Sequence, residues 1–471
     1  MNGKYKRLGR NTILVFIGGI GSKLITFLML PYYTSHLSAA EYGTSDMVTT
    51  YSTIFISIIF CCIAEAIFIF PKGKPVFEQA KYFSSGLIFA LTSLLVWICL
   101  SIGISSLNTS SVFVEYIWWI LWMASSMFIQ GYIQQFTLSC DKIIVYSTTS
   151  IIQVFATAIL ALVFIPLKGL EGYLISLILA NLIGALYSFT LSKSFCYFRI
   201  ANFDKAYLFQ LLKYGIPLIP NTIVWWLVNG VNRPIMESEL GLEAVGIYGV
   251  ASRIPSIIVI LFTFFTNAWN ISLLEEFGKP DFNVFFNKIV RVVFSILVLG
   301  TVMLILGSKL IVSILASHVF YEAWKYVPIL CIAAIFQCLS SVVGGVFAAE
   351  KKSKYYFYSS VWGAIISLIA TYGLVGILGI HGVTCALLCS FLSILIIRLI
   401  YAWKHISLFD YKYYSIASLL LLILAIAVTS EVDRYVILMI SLTILGYVLL
   451  SNRNNISHLF LIFKGLRNRH E

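Results

Sequence analysis

Fourteen long apolar stretches dominate the chain, and their length fixes the medium in which it folds. They cover 11–33, 44–70, 82–106, 112–137, 144–166, 170–192, 214–236, 246–270, 287–307, 324–348, 355–377, 380–402, 412–430 and 434–451. Crossing the hydrocarbon core of a bilayer takes about 20 apolar residues of helix, and each stretch is of that order. A membrane β-barrel would show alternating segments of about ten residues instead. The run Leu419–Val428 is apolar on every face, a pattern that suits a helix in lipid. Only 11% of the residues are charged, against roughly 25% in soluble domains. The surface of a water-soluble globule could not be covered. The sequence describes an all-α polytopic membrane protein.

The connections set its orientation. Loops on the cytoplasmic side are enriched in Lys and Arg. Here 25 of the 32 Lys and Arg fall in the segments that share a side with the N-terminus. They include Lys4, Lys6, Arg7, Lys72, Lys74, Lys81, Arg199, Lys205, Lys351, Lys352, Arg398 and Lys404. Lys168, Lys309, Lys325 and Arg434 are the four on the opposite side. Both termini are therefore expected in the cytoplasm. The net charge of +12 is a topology signal and does not mark a nucleic-acid partner. Residues 11–33 are too long, and carry Lys23 too centrally, for a cleaved signal peptide; they read as the first permanent helix. The nine cysteines lack metal-site spacing and read as small buried hydrophobes, with no disulfide and no metal implied.

The chain also matches itself. Pro31, Ser35, Leu37 and Gly43 recur as Pro234, Ser238, Leu240 and Gly246, at an offset of 203. Gly169-Leu170-Glu171-Gly172 recurs as Gly379-Ile380-His381-Gly382, at an offset of 210. Six helices separate the copies, which makes a parallel repeat about an axis normal to the membrane, one of the symmetries of secondary transporters. The expected architecture is about 14 transmembrane helices in two pseudo-symmetric six-helix lobes around a central cavity. The lobes are 1–192 and 214–405, joined by a cytoplasmic linker at 193–213. Two extra helices and a tail occupy 406–471.

An ionisable side chain inside a membrane is costly and usually faces a cavity or a partner. The spans carry Lys23, Arg233 and Arg253 against one counted carboxylate, Glu65. This positive balance suits a phosphate-bearing ligand, for which arginine offers bidentate contacts. Arg233 and Arg253 lie near enough to helix ends to snorkel. Glu65 has two readings: a structural ion pair with Lys23, or a coupling site for a proton or cation.

The seventh stretch opens with Gly215-Ile-Pro217-Leu-Ile-Pro220-Asn221. Pro217 and Pro220 interrupt backbone bonding, as in a gate or a cavity wall. Trp225 and Trp226 can stack on sugar rings or anchor at the interface. Asn229 and Asn232, with Asn267 and Asn270 on the eighth stretch, are candidate hydrogen-bonding groups facing the cavity. No P-loop, HExxH or GxSxG occurs, and no connection exceeds about 21 residues. An ATPase and an enzyme with a soluble catalytic domain are both disfavoured; no catalytic residue and no cofactor are expected.

Lys213–Pro220, Trp225-Trp226 through Asn232-Arg233, Gly241–Ala251, and Asn11, Lys23 and Glu41-Tyr42-Gly43 together resemble the Wzx-type O-antigen and polysaccharide repeat-unit flippases. So do Asn267-Ala268-Trp269 and Gly379-Ile-His-Gly382. That family belongs to a superfamily that includes multidrug exporters and the peptidoglycan-precursor flippase. The resemblance implies transfer of undecaprenyl-pyrophosphate-linked oligosaccharide across a bacterial inner membrane by alternating access. Lys23, Arg233 and Arg253 would then meet the pyrophosphate. Other implied partners are membrane lipids and further polysaccharide-assembly proteins, such as a polymerase. One departure stands out: the Asp-Arg pair frequent late in the seventh helix is Asn232-Arg233 here. The alternatives are a cation-coupled multidrug exporter of the same superfamily and a multi-span polymerase or ligase. The positive intramembrane balance disfavours the first, and the short extracytoplasmic loops disfavour the second.

Overall fold

The computed structural model describes Gly19, Gly21, Lys23 and residues 25–107, 111–407 and 410–453. Every regular element among them is helical. By length and composition, nine of these helices can cross a membrane, or ten if one sharply bent pair counts as a span. The expected first span, 11–33, lies largely outside the described residues. One helix, Ile143–Leu191, runs for 49 residues. At 1.5 Å per residue it would extend about 74 Å, more than twice the hydrocarbon thickness. It is broken at Gly169, where φ is 54° and ψ −124°, so its two halves correspond to separate passes.

That break has a counterpart. Gly379, the repeat mate of Gly169, ends helix Ser353–Leu378 with φ 56° and ψ −135°. The glycine three positions after each break is equally constrained. A Cβ at Gly172 would run into the carbonyl of Phe164, and one at its mate Gly382 into the carbonyl of Leu374. The two obstructing carbonyls are themselves repeat mates. The repeated Gly-x-x-Gly thus encodes a repeated tight turn between two packed helices, at a backbone angle that only glycine adopts easily.

The chain packs as two compact units, 1–249 with 315–317, and 250–314 with 318–471. The boundary falls inside helix α10, Leu242–Glu276. In the first unit, α1 (Leu30–His36) leads into α2 (Ala39–Ile59) through a capping box. There Ser38 and Glu41 bond each other's backbone N–H, the arrangement that the Ser-x-x-Glu spacing predicts. The second expected span, 44–70, does not run straight: α2 and α3 (Ile63–Ile69) meet at 61°. Cys61 and Cys62 make the bend, both at φ 51°. α4 (Val76–Ser105), α5 (Ile117–Ser139) and α6 (Ile143–Leu191) follow. The core beneath the bend joins Phe60, Ile63, Phe83, Phe128, Tyr132 and Leu211.

α7 (Lys205–Gly215), capped by Asp204, begins inside the expected 193–213 linker and runs two residues past it. A single 3-10 turn, Ile216–Leu218, joins it to α8 (Ile219–Asn229), and α9 (Asn232–Leu240) comes next. In the second unit, α12 (Val327–Ala349) is the most enclosed span. Around it pack α11 (Phe282–Leu306), α13 (Ser353–Leu378), α14 (Ile380–Ala402) and α15 (Tyr411–Thr429), with α16 (Arg434–Ser451) against α15.

Candidate functional site

In the first unit Trp226, Asn232 and Arg233 gather where α8 and α9 lie along α2. Arg233, at the start of α9, donates through Nε to the Asp46 carboxylate on α2. Its Nη1 donates to the backbone carbonyl of Asn229 at 2.9 Å. Its guanidinium also lies 5.4 Å from the centre of the Tyr248 ring. Both side chains of the pair are largely covered, at 15% exposure for Arg233 and 9% for Asp46. An arginine brought this far from water requires a counter-charge, and Asp46 provides it.

Two sequence-based statements are corrected by this geometry. Glu65 is not the sole carboxylate in the spans: Asp46 lies within 44–70 and belongs in the same tally. The acidic neighbour missing at position 232 is supplied instead from α2, across the helix interface. Asn232, expected to face a cavity, is 1% exposed, and its amide donates to the Tyr248 hydroxyl at 2.7 Å. It is a packing residue that steadies the ring beside Arg233.

The other predicted residues divide between the units. Trp226 donates from Nε1 to the carbonyl of Thr50 at 3.0 Å, tying α8 to α2. Trp225 is half-buried beside it and Asn229 is exposed. Pro217, on the 3-10 connection, and Pro220, in the first turn of α8, are both exposed. Just before them, Gly215 seats against the bend of the second span, where a Cβ would strike the carbonyl of Cys61. Lys23 is exposed. Glu65, on α3 immediately after the bend, is exposed and makes no ion pair among the described residues. Arg253, Asn267 and Asn270 belong to the second unit. Arg253 is half-buried, and the two asparagines are exposed on either side of buried Trp269, which donates to the Val342 carbonyl at 3.2 Å.

The second unit contains a cation that the loop count assigned to the cytoplasmic surface. Arg398 on α14 is fully buried. It donates to the Ser359 hydroxyl at 3.0 Å, the Ser340 carbonyl at 2.6 Å and the Ser360 hydroxyl at 3.3 Å. Its guanidinium stacks 3.9 Å from the centre of Tyr356. No carboxylate pairs with it among the described residues. No group of three or more potential metal ligands occurs among them either, and the nine cysteines are unpaired thiols.

Bent, glycine-jointed membrane helices and the covered Arg233–Asp46 pair mark the fold among the described residues. Solved structures agree on the fold. The lipid II flippase MurJ, in an inward closed conformation, superposes with a TM-score of 0.73 over 95% of this chain and 99% of its own, at 16% identity. An inward-facing multidrug transporter of the MATE family superposes at 0.63, over 83% of this chain and 94% of its own, at 13% identity. The polysaccharide biosynthesis protein family matches residues 8–270, more than half of the chain, and this chain belongs to that family. The MatE family also matches, over residues 221–373. A protein of the Lsg locus of Haemophilus influenzae is 23% identical over 256 residues, half of this chain and 60% of the relative's length.

Proposed function

We propose that this protein carries undecaprenyl-pyrophosphate-linked oligosaccharide repeat units from the cytoplasmic to the outer leaflet of a bacterial inner membrane. The membership of the polysaccharide biosynthesis family carries this reading. The sugars would be those of an O-antigen, capsule or exopolysaccharide. Both termini lie in the cytoplasm on this view, and two pseudo-symmetric lobes, 1–192 and 214–405, alternate access to the two sides. Nothing covalent happens to the substrate. Lys23, Arg233 and Arg253 attract the diphosphate, and Arg233 exchanges the Asp46 carboxylate for a phosphate oxygen. Such an exchange avoids leaving a buried guanidinium without a counter-charge at any stage. Exposed Asn229, Asn267 and Asn270, with Trp225, offer hydrogen bonds and a ring face to the sugars. Glu65, beside the Cys61–Cys62 bend, is the candidate coupling carboxylate.

Lipid analysis of a deletion strain tests the proposal. Accumulation of the complete lipid-linked repeat unit, with surface polysaccharide lost, supports it and identifies the sugar. The MatE match favours a second reading, a cation-coupled multidrug exporter. Unchanged lipid intermediates together with new drug sensitivity would select that reading.

A further inference from the structure

The crossing of α2 with the first turns of α10 has a symmetry that follows the sequence repeat. A Cβ added to Gly43 would overlap the carbonyl oxygen of Leu242 and sit 2.9 Å from the Gly246 nitrogen. A Cβ added to Gly246 would overlap the carbonyl oxygen of Ala39 and sit 3.2 Å from the Gly43 nitrogen. Ala39 and Leu242 are repeat mates, as Gly43 and Gly246 are. Each residue touches the other's counterpart, the signature of a two-fold contact. The local axis of the repeat therefore passes between these two glycines, where the backbones meet without side chains between them.

One turn further along, the symmetry is broken by charge. The repeat mate of Asp46 is Gly249, and a Cβ there would lie 3.5 Å from the Asp46 carboxylate and 3.3 Å from the Tyr42 ring. Gly249 leaves room for the carboxylate. The repeat mate of Arg233 is Leu30, which is apolar and buried. The crossing thus has two-fold backbone contact and carries the Arg233–Asp46 ion pair on one side.

We propose that Gly43, Gly246 and the Asp46–Arg233 pair form the extracytoplasmic gate of this protein, with Asp46 its positioning residue. The assignment rests on the transport reading and on the orientation given by the loop charges. A glycine-to-glycine crossing holds only by backbone fit and dispersion contacts, which decline steeply with small separation. Such a contact is either closed or open, with little between. The ion pair sets how often it opens. An anionic ligand that draws Arg233 away from Asp46 frees the crossing, so the gate parts only after the ligand has entered from the other side.

Spin labels test this on the full-length chain in proteoliposomes. Cysteines replace Ala40 and Glu243, exposed positions that flank the crossing and are themselves repeat mates. The background lacks the nine native cysteines. The expected result is one dominant short distance, with Asp46→Asn or Arg233→Gln raising a longer-distance population by about fivefold or more. Identical distance distributions in the parent and both variants would overturn the gate. Bridging the Ala40→Cys and Glu243→Cys thiols with a short reducible cross-linker is expected to stop surface polysaccharide display until the linker is reduced. If the cross-linked chain still complements, the crossing does not open and the gate falls. If the distances respond but deletion leaves lipid-linked intermediates unchanged, the gate stands and the proposed cargo falls.

Discussion

Arg233 and Arg398 both bring a guanidinium largely out of water between helices, one in each unit, and they are accommodated by different means. Arg233 keeps 15% of its side chain exposed and is paired with a carboxylate on another helix. Arg398 is fully buried and is held by two serine hydroxyls, one backbone carbonyl and a tyrosine face. An ion pair at a partly open helix crossing can be traded for another anion. A guanidinium locked by neutral acceptors and a ring has no equivalent to exchange. The first arrangement suits a moving part, and the second suits a fixed one, where arginine's planar fork cannot be replaced by the lysine point charge.

Breaking the first arrangement should have the largest effect. Arg233→Ala removes the guanidinium that meets the covered Asp46 carboxylate, and melting of the purified protein in detergent should report a loss of about 2–4 kcal/mol. Adding Asp46→Asn should recover half or more of that loss, a coupling of about 1–3 kcal/mol in a double-mutant cycle. Additive effects would mean that the pair is not a unit, and the contrast with Arg398 would disappear.

Arg398→Ala should cost somewhat less, about 2–3 kcal/mol from lost packing and hydrogen bonds. No single removal of a carboxylate should rescue it. Arg398→Lys should recover under half; full recovery would show that charge alone matters there. The neighbouring glycines refine the comparison. A Cβ at Gly344 would lie 2.7 Å from the Tyr356 ring and 2.8 Å from Arg398 Nη1, so Gly344→Ala should destabilise by about 1–3 kcal/mol through overpacking. Gly249→Ala beside Asp46, with contacts of 3.3 Å and beyond, should cost less than about 1 kcal/mol. Equal losses would mean that the two arginines are seated equally tightly.

The smallest effect is expected outside the spans. Glu350 follows α12, where hydrogen bonds from Lys352 and then His405 hold its carboxyl below the usual carboxylate range. A carboxyl with a lowered folded-state pKa adds stability above its unfolded value, and the contribution is lost as pH falls through the folded one. The melting temperature should therefore decline on the acid side of the carboxylate range, modestly, because Lys352 is half exposed to solvent and screened pairs contribute little. Glu350→Gln should flatten that decline. An unchanged slope would remove Glu350 from the account.

Much of the fold was legible because lipid leaves few choices: long apolar runs become helices, and the repeat marks where they turn. The glycines at 43, 169, 246 and 379 were visible as repeated residues before their close contacts were known. The bend at Cys61–Cys62 was not, since neither proline nor glycine occurs there and both cysteines resemble ordinary apolar filler. It is imposed by packing, including the close seat of Gly215 on the Cys61 carbonyl. Asp46 gives little signal in the sequence because it stands near the start of an expected span, where a polar residue reads as the edge of the membrane. Arg398 reads as part of a cytoplasmic loop because it stands in the last turns of its helix. Its burial depends on Tyr356, Ser359 and Ser360, which belong to a different helix, α13. Charge compensation between helices is a tertiary property: the carboxylate that meets Arg233 and the hydroxyls that meet Arg398 both come from elsewhere in the chain.

Duplication gives a protein two copies of every joint, and copies alone cannot tell one direction from the other. The α2–α10 crossing shows how few residues are needed to change that. Its backbone remains interchangeable between the halves, while aspartate and arginine occur in one copy each, opposite a glycine and a leucine in the other. Substitutions at these four positions can therefore retune the strength of the joint without altering its shape. The geometry is present twice, and the polarity on one side only.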